Sequence, residues 1–193
     1  MKKKYIAVDI ESSGQYPWSS SMISIGACVV DGKFDKTFYA ELKPITDKYI
    51  YENFKIGASS LDCLEGELFS PENALKVLKE KGEKPEIIMP HFTEWILENT
   101  QGYTPIIAAA PIKFDGVFVS YYMDKFNNSY DPFGYSGEDI NSIFRGSVKD
   151  IHASIKELSM RPNGELRHNA LEDAVQEGKE LWVSLVNMRQ HRF

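Results

Sequence analysis

The chain has 193 residues, with 22 Lys and Arg against 28 Asp and Glu, for a formal net charge of −6. That length suffices to bury a core as one domain over residues 1–193, and 42% apolar with 12% aromatic residues excludes a disordered chain. The acidic balance, taken alone, argues against a polyanionic partner, which usually meets a basic surface.

The N-terminus begins Met1-Lys2-Lys3-Lys4, as a leader would, but Asp9 and Glu11 interrupt the apolar stretch that follows, so no h-region forms. Residues 5–8, rich in strand formers, read as a buried strand ending at Asp9-Ile10-Glu11. A loop runs to Ser21, and residues 22–30 form a second strand. Asp31-Gly32 is a tight-turn signal, after which residues 33–42 alternate as a third strand. Residues 44–69 show no period; Tyr49, Tyr51 and Phe54 there suggest a flap or a packed loop.

Ser70-Pro71-Glu72 opens a helix that Gly82 closes. Phe92, Trp95 and Ile96 mark a second helix, and residues 105–109 a further strand. Phe114, Val117, Phe118, Tyr121 and Tyr122 share one helical face. Residues 127–137 read as loop, 139–144 and 148–158 as short helices, and 161–164 as a turn. In the last helix Leu171, Ala174, Val175, Gly178, Leu181, Trp182 and Leu185 make a continuous stripe. Strands first, then helices mixed with strand, predict an α/β fold: a mixed central sheet flanked by helices. No apolar run is long enough to span a membrane, and Cys28 and Cys63 have neither disulfide-framework nor metal-ligand spacing. A soluble, cytoplasmic protein is expected.

Five residues stand out. Asp9 and Glu11, two apart on a strand, project from the same face, where like charges cost energy unless a cation or proton compensates. Asp115 starts a helix just after a strand. His168 and Asp173 open the last helix, with Asn169 or His168 as its cap, and Asp173 borders the buried stripe, where an acid needs a partner. Taken singly, each has an ordinary reading as a solvated loop acid or a first-turn acid. Taken together, they place four carboxylates and a histidine at element ends, where open sheets keep their functional groups. Four carboxylates can hold two divalent cations, which clamp the attacking and leaving oxygens of a phosphodiester. Oxygen ligands without cysteine suit Mg2+ or Mn2+, and a histidine beside them can take a proton from water.

These residues resemble three ordered motifs of the DnaQ-like 3′–5′ exonucleases: Val8 to Gly14 (VDIESSG), Lys113 to Phe118 (KFDGVF), and His168 to Ala174 (HNALEDA), the last in the histidine variant termed DEDDh. Ile23 to Asp31 is similar to the strand following the first motif. The resemblance implies a ribonuclease-H-like sheet of about five strands and two-metal removal of nucleotides from single-stranded DNA or short RNA 3′ ends. It implies metal binding by Asp9, Glu11, Asp115 and Asp173, with His168 as general base. Ser12, Ser13 and Gly14 match a region holding the terminal nucleotide, and Met22 and Ile23 match positions that pack on its base, with a role in the apolar core as the equal alternative. Relatives often carry His-Asn where this chain has Ala110-Pro111, which opens the alternative of a catalytically weak relative serving as an interaction module. Hydrolysis of small nucleotide diesters is a third reading. Some RNA-trimming relatives dimerise, so the resemblance also allows a homodimer.

Two divalent cations would bring the formal charge from −6 to −2. The charge is thus compatible with a 3′ end held at metals, and favours short or single strands over a long duplex. Trp18 lies in the loop beyond the first motif. Lys113, Lys125, Arg145, Lys149, Lys156, Arg161 and Arg167 are candidates for a phosphate path. His91, His152 and His191 lack metal spacing.

Overall fold

A computed structural model describes residues 2–161 and 166–190. Among these residues, five strands form one sheet in the order β3-β2-β1-β4-β5. They are β1 (Lys3–Ser12), β2 (Met22–Val29), β3 (Thr37–Glu41), β4 (Thr104–Ala109) and β5 (Gly137–Asp139). The β1–β2 and β2–β3 pairs are antiparallel, and the β1–β4 and β4–β5 pairs are parallel.

Among the described residues, six helices accompany the sheet: α1 (Tyr51–Gly57), α2 (Pro71–Lys81), α3 (Pro85–Asn99), α4 (Ile112–Phe126), α5 (Ile140–Val148) and α6 (Ala170–Gln190). Alternation along β1 sets the two layers. Ile6, Val8 and Ile10 pack with Met89 and Phe92 of α3 and Phe118, Val119 and Tyr122 of α4. Ala7 faces the other way, toward Ile140 and Phe144 of α5 and Leu181 of α6. Asp9 and Glu11 have the parity of Ala7, so they point to the α6 side.

The structure departs from the sequence reading where local signals are short. The third strand begins at Thr37, because the Asp31 carboxylate accepts N–H groups from Lys33 and Phe34 and tightens the preceding segment into a turn. The second expected short helix is a 3-10 turn, Ile155–Leu158, held by a Ser154–Glu157 capping box. Gly137–Asp139, read partly as loop, joins the sheet as β5. The expected 161–164 turn lies outside the described residues apart from Arg161.

Residues 44–69 are built into the fold. Phe54 of α1 is buried with Ile23, Leu75 and Leu78. The Glu41 carboxylate accepts the N–H groups of Asp62 and Cys63, fixing the 3-10 turn Asp62–Leu64 to the edge of β3. Among the described residues, no helix is long and apolar enough to cross a membrane.

Candidate active site

The C-terminal end of β1 brings together acids from three elements. Asp9 lies opposite Gly26 and Glu11 opposite Ser24 in the β1–β2 ladder. A methyl group at Gly26 would overlap the Ala170 carbonyl, so the first turn of α6 sits directly on the β2 backbone. A register shift after Glu11 turns the chain away from the ladder at Ser12.

Beyond Ala7 the β1–β4 pairing stops, and α4 brings Asp115 to the same strand. Its Oδ1 accepts the Ile10 N–H at 3.1 Å, between the two acids of β1. Asp173 closes the site from α6. Its two oxygens accept the Arg167 and His168 N–H groups at 2.9 and 2.8 Å. Asn169 caps the helix, its Oδ1 accepting from Leu171 and Glu172.

His168 adopts a left-handed φ of 58°, unusual for a residue with a Cβ. The Ser60 hydroxyl donates to its carbonyl, and the Asn169 amide donates to the Ser60 carbonyl at 3.2 Å. The segment without sequence period thus fixes the histidine loop. It also backs Glu11, because Gly57 is close enough that an added Cβ would lie 3.0 Å from the Glu11 carboxylate. The structure gathers Glu11, His168 and Asp173 with one potential ligand atom each within 4.8 Å of one another. Asp9 and Asp115 lie beside this group and are not part of it.

Burial raises all of these carboxyl groups, and repulsion from the other site acids adds to it at Asp9 and Glu11. Loss of water is the larger cause at Glu11, pushed up to about 8 with help from Asp173 and Asp115. Asp115 is pushed up to about 7 by burial, partly offset by the N–H groups it accepts. Asp9 is raised by burial first, then by Asp115, Glu177, Glu11 and Asp173. Asp173 is raised by burial and eased by its two backbone donors. Among the described residues, the buried side-chain polar atoms without a hydrogen-bond partner are Asp9 Oδ2, Ser24 Oγ and Glu177 Oε1. All three belong to residues at this cluster. Unsatisfied acceptors amid crowded carboxylates suit a bound cation.

Two acids of the site were missed in the sequence. Glu177 and Glu180 are fully buried on α6, on the same face as Asp173. Glu180 binds Arg161 at 2.7 and 2.9 Å in a two-pronged pair. The spacing 173, 177, 180 beside the Ala174–Gly178–Leu181 row was the available signal.

Several expected contacts fall elsewhere. Ile23 and Met22 are fully buried, and Ile23 packs against Phe54, so neither offers a face to a base. Ser13 is fully buried, with its N–H, carbonyl and hydroxyl engaged by Ser21, Ile50 and Lys48. The Ser12 hydroxyl donates to the Gly14 carbonyl at 2.6 Å. The serines therefore shape the loop, and Gly14 packs so closely on Ser20 that an added Cβ would displace its hydroxyl. Among the residues this loop exposes are Tyr16 and Trp18, stacked at 5.0 Å. Arg161 is committed to Glu180 in a buried pair and is no ready phosphate ligand, whereas Arg167 pairs with Glu172 only at the exposed surface. His91 and His152 are exposed, and His191 lies outside the described residues.

Residues 4–184 match the family described as the 3′–5′ exoribonuclease Rv2179c-like domain. The chain is 30% identical over 178 residues to the 3′–5′ DNA exonuclease Cap18 of Escherichia coli, covering 90% of this chain and 87% of that protein. Its fold is similar to the nuclease domain of 3′hExo, a DEDDh family member bound to rAMP. The TM-score is 0.65 at 10% identity, covering 97% of this chain and 92% of that one. It is also similar to E. coli exonuclease I in complex with a dT13 oligonucleotide, with TM-score 0.63 at 15% identity over 98% of this chain. This chain spans only 42% of the exonuclease I chain. The five-stranded mixed sheet and its flanking helices are thus a ribonuclease-H-like exonuclease fold. With nearly the whole chain matched, the protein belongs to the Rv2179c-like family of 3′–5′ exoribonuclease domains and is an enzyme of the 3′–5′ exonuclease class.

Proposed function

We propose that the protein hydrolyses phosphodiester bonds from the 3′ end of single-stranded DNA or short RNA, using two divalent cations, Mg2+ or Mn2+. Asp9, Glu11, Asp115 and Asp173 would hold the cations, and His168 is the general base. The observation that carries this reading is the convergence of these carboxylates, with orphaned buried oxygens among them, beside His168. When bound, the cations supply Lewis-acid stabilisation of the charge that develops on the phosphodiester oxygens.

The chain's own residues do the rest. Asp115 ties α4 to β1 at Ile10, keeping its carboxylate between Asp9 and Glu11. Asp173 holds the main chain at 167 and 168, which sets the imidazole of His168 beside Glu11. His168 is exposed and takes the proton of the attacking water. Attack on phosphorus breaks its bond to the 3′ oxygen of the preceding nucleotide, which takes up a proton from solvent, leaving a nucleoside 5′-monophosphate and a strand shortened to a new 3′ hydroxyl.

Oligonucleotide in exonuclease I and rAMP in 3′hExo support a single-stranded substrate class that includes DNA and RNA. The loop of Ser12, Ser13 and Gly14 would border the terminal nucleotide, with exposed Tyr16 and Trp18 at its rim. The test is digestion of 5′-labelled DNA and RNA oligonucleotides with Mg2+ or Mn2+, beside small nucleotide diesters. Stepwise 3′ shortening is expected. Failure on both polymers with either ion would sink the reading, and cleavage of the small diesters alone would redirect it.

A further inference from the structure

Glu177 stands one turn beyond Asp173 on α6 and is fully buried. Its Oε2 accepts the Ala110 N–H at 3.2 Å, where β4 turns toward α4. Its Oε1 is buried with no partner. Four carboxylates act on it or are acted on by it: Asp9, Asp115, Asp173 and Glu180. The cation that eases it is Arg161, whose guanidinium is already held by Glu180.

For architecture alone this is a poor choice of residue. A glutamine would still accept the Ala110 N–H, and methionine would fill a similar volume without burying charge. Glutamate adds a negative charge and a free acceptor oxygen. Both are useful where a cation is to be bound. The other buried orphan carboxylate oxygen among the described residues belongs to Asp9, and Ser24, facing Glu11 across the ladder, carries the orphan hydroxyl. The unsatisfied atoms therefore centre on the acids at the end of β1.

We propose that Glu177 is a fifth carboxylate of the metal centre: Oε2 anchors the β4–α4 turn, while Oε1 and its charge strengthen cation binding at Asp9 and Asp115. This rests on the metal-dependent reading above. The residue binds the centre together from behind, linking the α6 acids to the turn that carries Asp115.

The test is calorimetric titration with Mn2+ of wild type, Glu177→Gln, Glu177→Met and, as control, Asp9→Asn, together with thermal melts with and without Mn2+. Both Glu177 variants should bind Mn2+ about 10–100-fold more weakly. Without metal, Glu177→Gln, which keeps an acceptor for the Ala110 N–H, should melt close to wild type, and Glu177→Met, which leaves that buried N–H unpaired, should melt lower. Mn2+ affinity within twofold of wild type in Glu177→Gln, alongside loss in Asp9→Asn, would overturn the proposal and leave the metal reading standing. Failure of both Glu177 variants to fold would likewise overturn it and make the residue architectural. Absence of Mn2+ binding by wild type would instead strike the metal-dependent reading itself.

Discussion

Gly26 has no side chain because the carbonyl of Ala170 occupies the place of its Cβ. Gly26 also lies opposite Asp9. This one contact sets the height of α6 over the sheet, and with it the approach of Asp173 and His168 to Glu11. Gly26→Ala should force the first turn of α6 outward. Misplacement of about 1 Å can cost on the order of 100-fold in rate, and overpacking about 1–3 kcal/mol in stability. Exonuclease assays and thermal melts of this variant should show both losses, with activity falling far more than stability.

The raised carboxyl groups predict how stability depends on pH without metal. Glu11 and Asp115 hold protons in the folded state up to about 8 and about 7, and release them near 4 when unfolded. Their contribution is therefore fully present at low pH and is lost as pH rises through those folded values. Chelator-treated protein should melt on the order of 5–10 °C lower at pH 8.5 than at pH 5.5. Saturating Mg2+ or Mn2+ should recover most of that loss at pH 8.5 and little at pH 5.5. A melting temperature that climbs across this window without metal would contradict the electrostatics of the site.

Asp9 and His168 should separate metal binding from proton transfer. Asp9→Asn removes a charge from the crowded end of β1, and should abolish 3′ shortening together with Mn2+ binding. His168→Ala should lower the rate about 10²–10⁴-fold, the range for a lost general base, while Mn2+ affinity stays close to wild type. If Mn2+ affinity collapses in His168→Ala, then the imidazole is a ligand in the group it forms with Glu11 and Asp173.

The parts legible in the sequence were those with long period or strong punctuation. The Ser70-Pro71 start and Gly82 stop fall where α2 begins and ends, and the stripe from Leu171 to Leu185 lies within α6. Pairing extends β1 through Asp9 and Glu11 to Ser12, because those acids face a covered site rather than solvent. Three-residue β5 and seven-residue α1 were not legible. One is too short to show alternation, and the other is anchored by little beyond Phe54. In the site, acids at element ends were readable because their positions were odd for their type. Glu177 and Glu180 sit mid-helix, where acids are ordinarily solvated; their spacing from Asp173 beside the apolar row was the one hint, and the packing of α6 against β1 and β2 shows them buried. For Ile23 the sequence left a core role and a base contact both open, because strand parity alone does not say which layer is open; the structure buries it against Phe54.

Arg161 and Glu180 provide a test of how the back of the site is held. Glu180 is fully buried and its carboxylate meets the guanidinium through two hydrogen bonds, while Gln176 donates to it at 3.2 Å. Removing one partner of such a pair leaves an uncompensated charge, and costs about 3–5 kcal/mol. Arg161→Met should therefore lower stability by that order in chemical denaturation. Replacing Glu180 as well removes the orphaned charge along with the pair. The double variant Arg161→Met with Glu180→Met should thus regain most of the loss, and a double-mutant cycle should report strong coupling. Arg161 also eases the charge on Glu177. Loss of this positive charge leaves the cluster more negative, so the single variant should keep or gain Mn2+-dependent stabilisation, the opposite of Glu177→Gln.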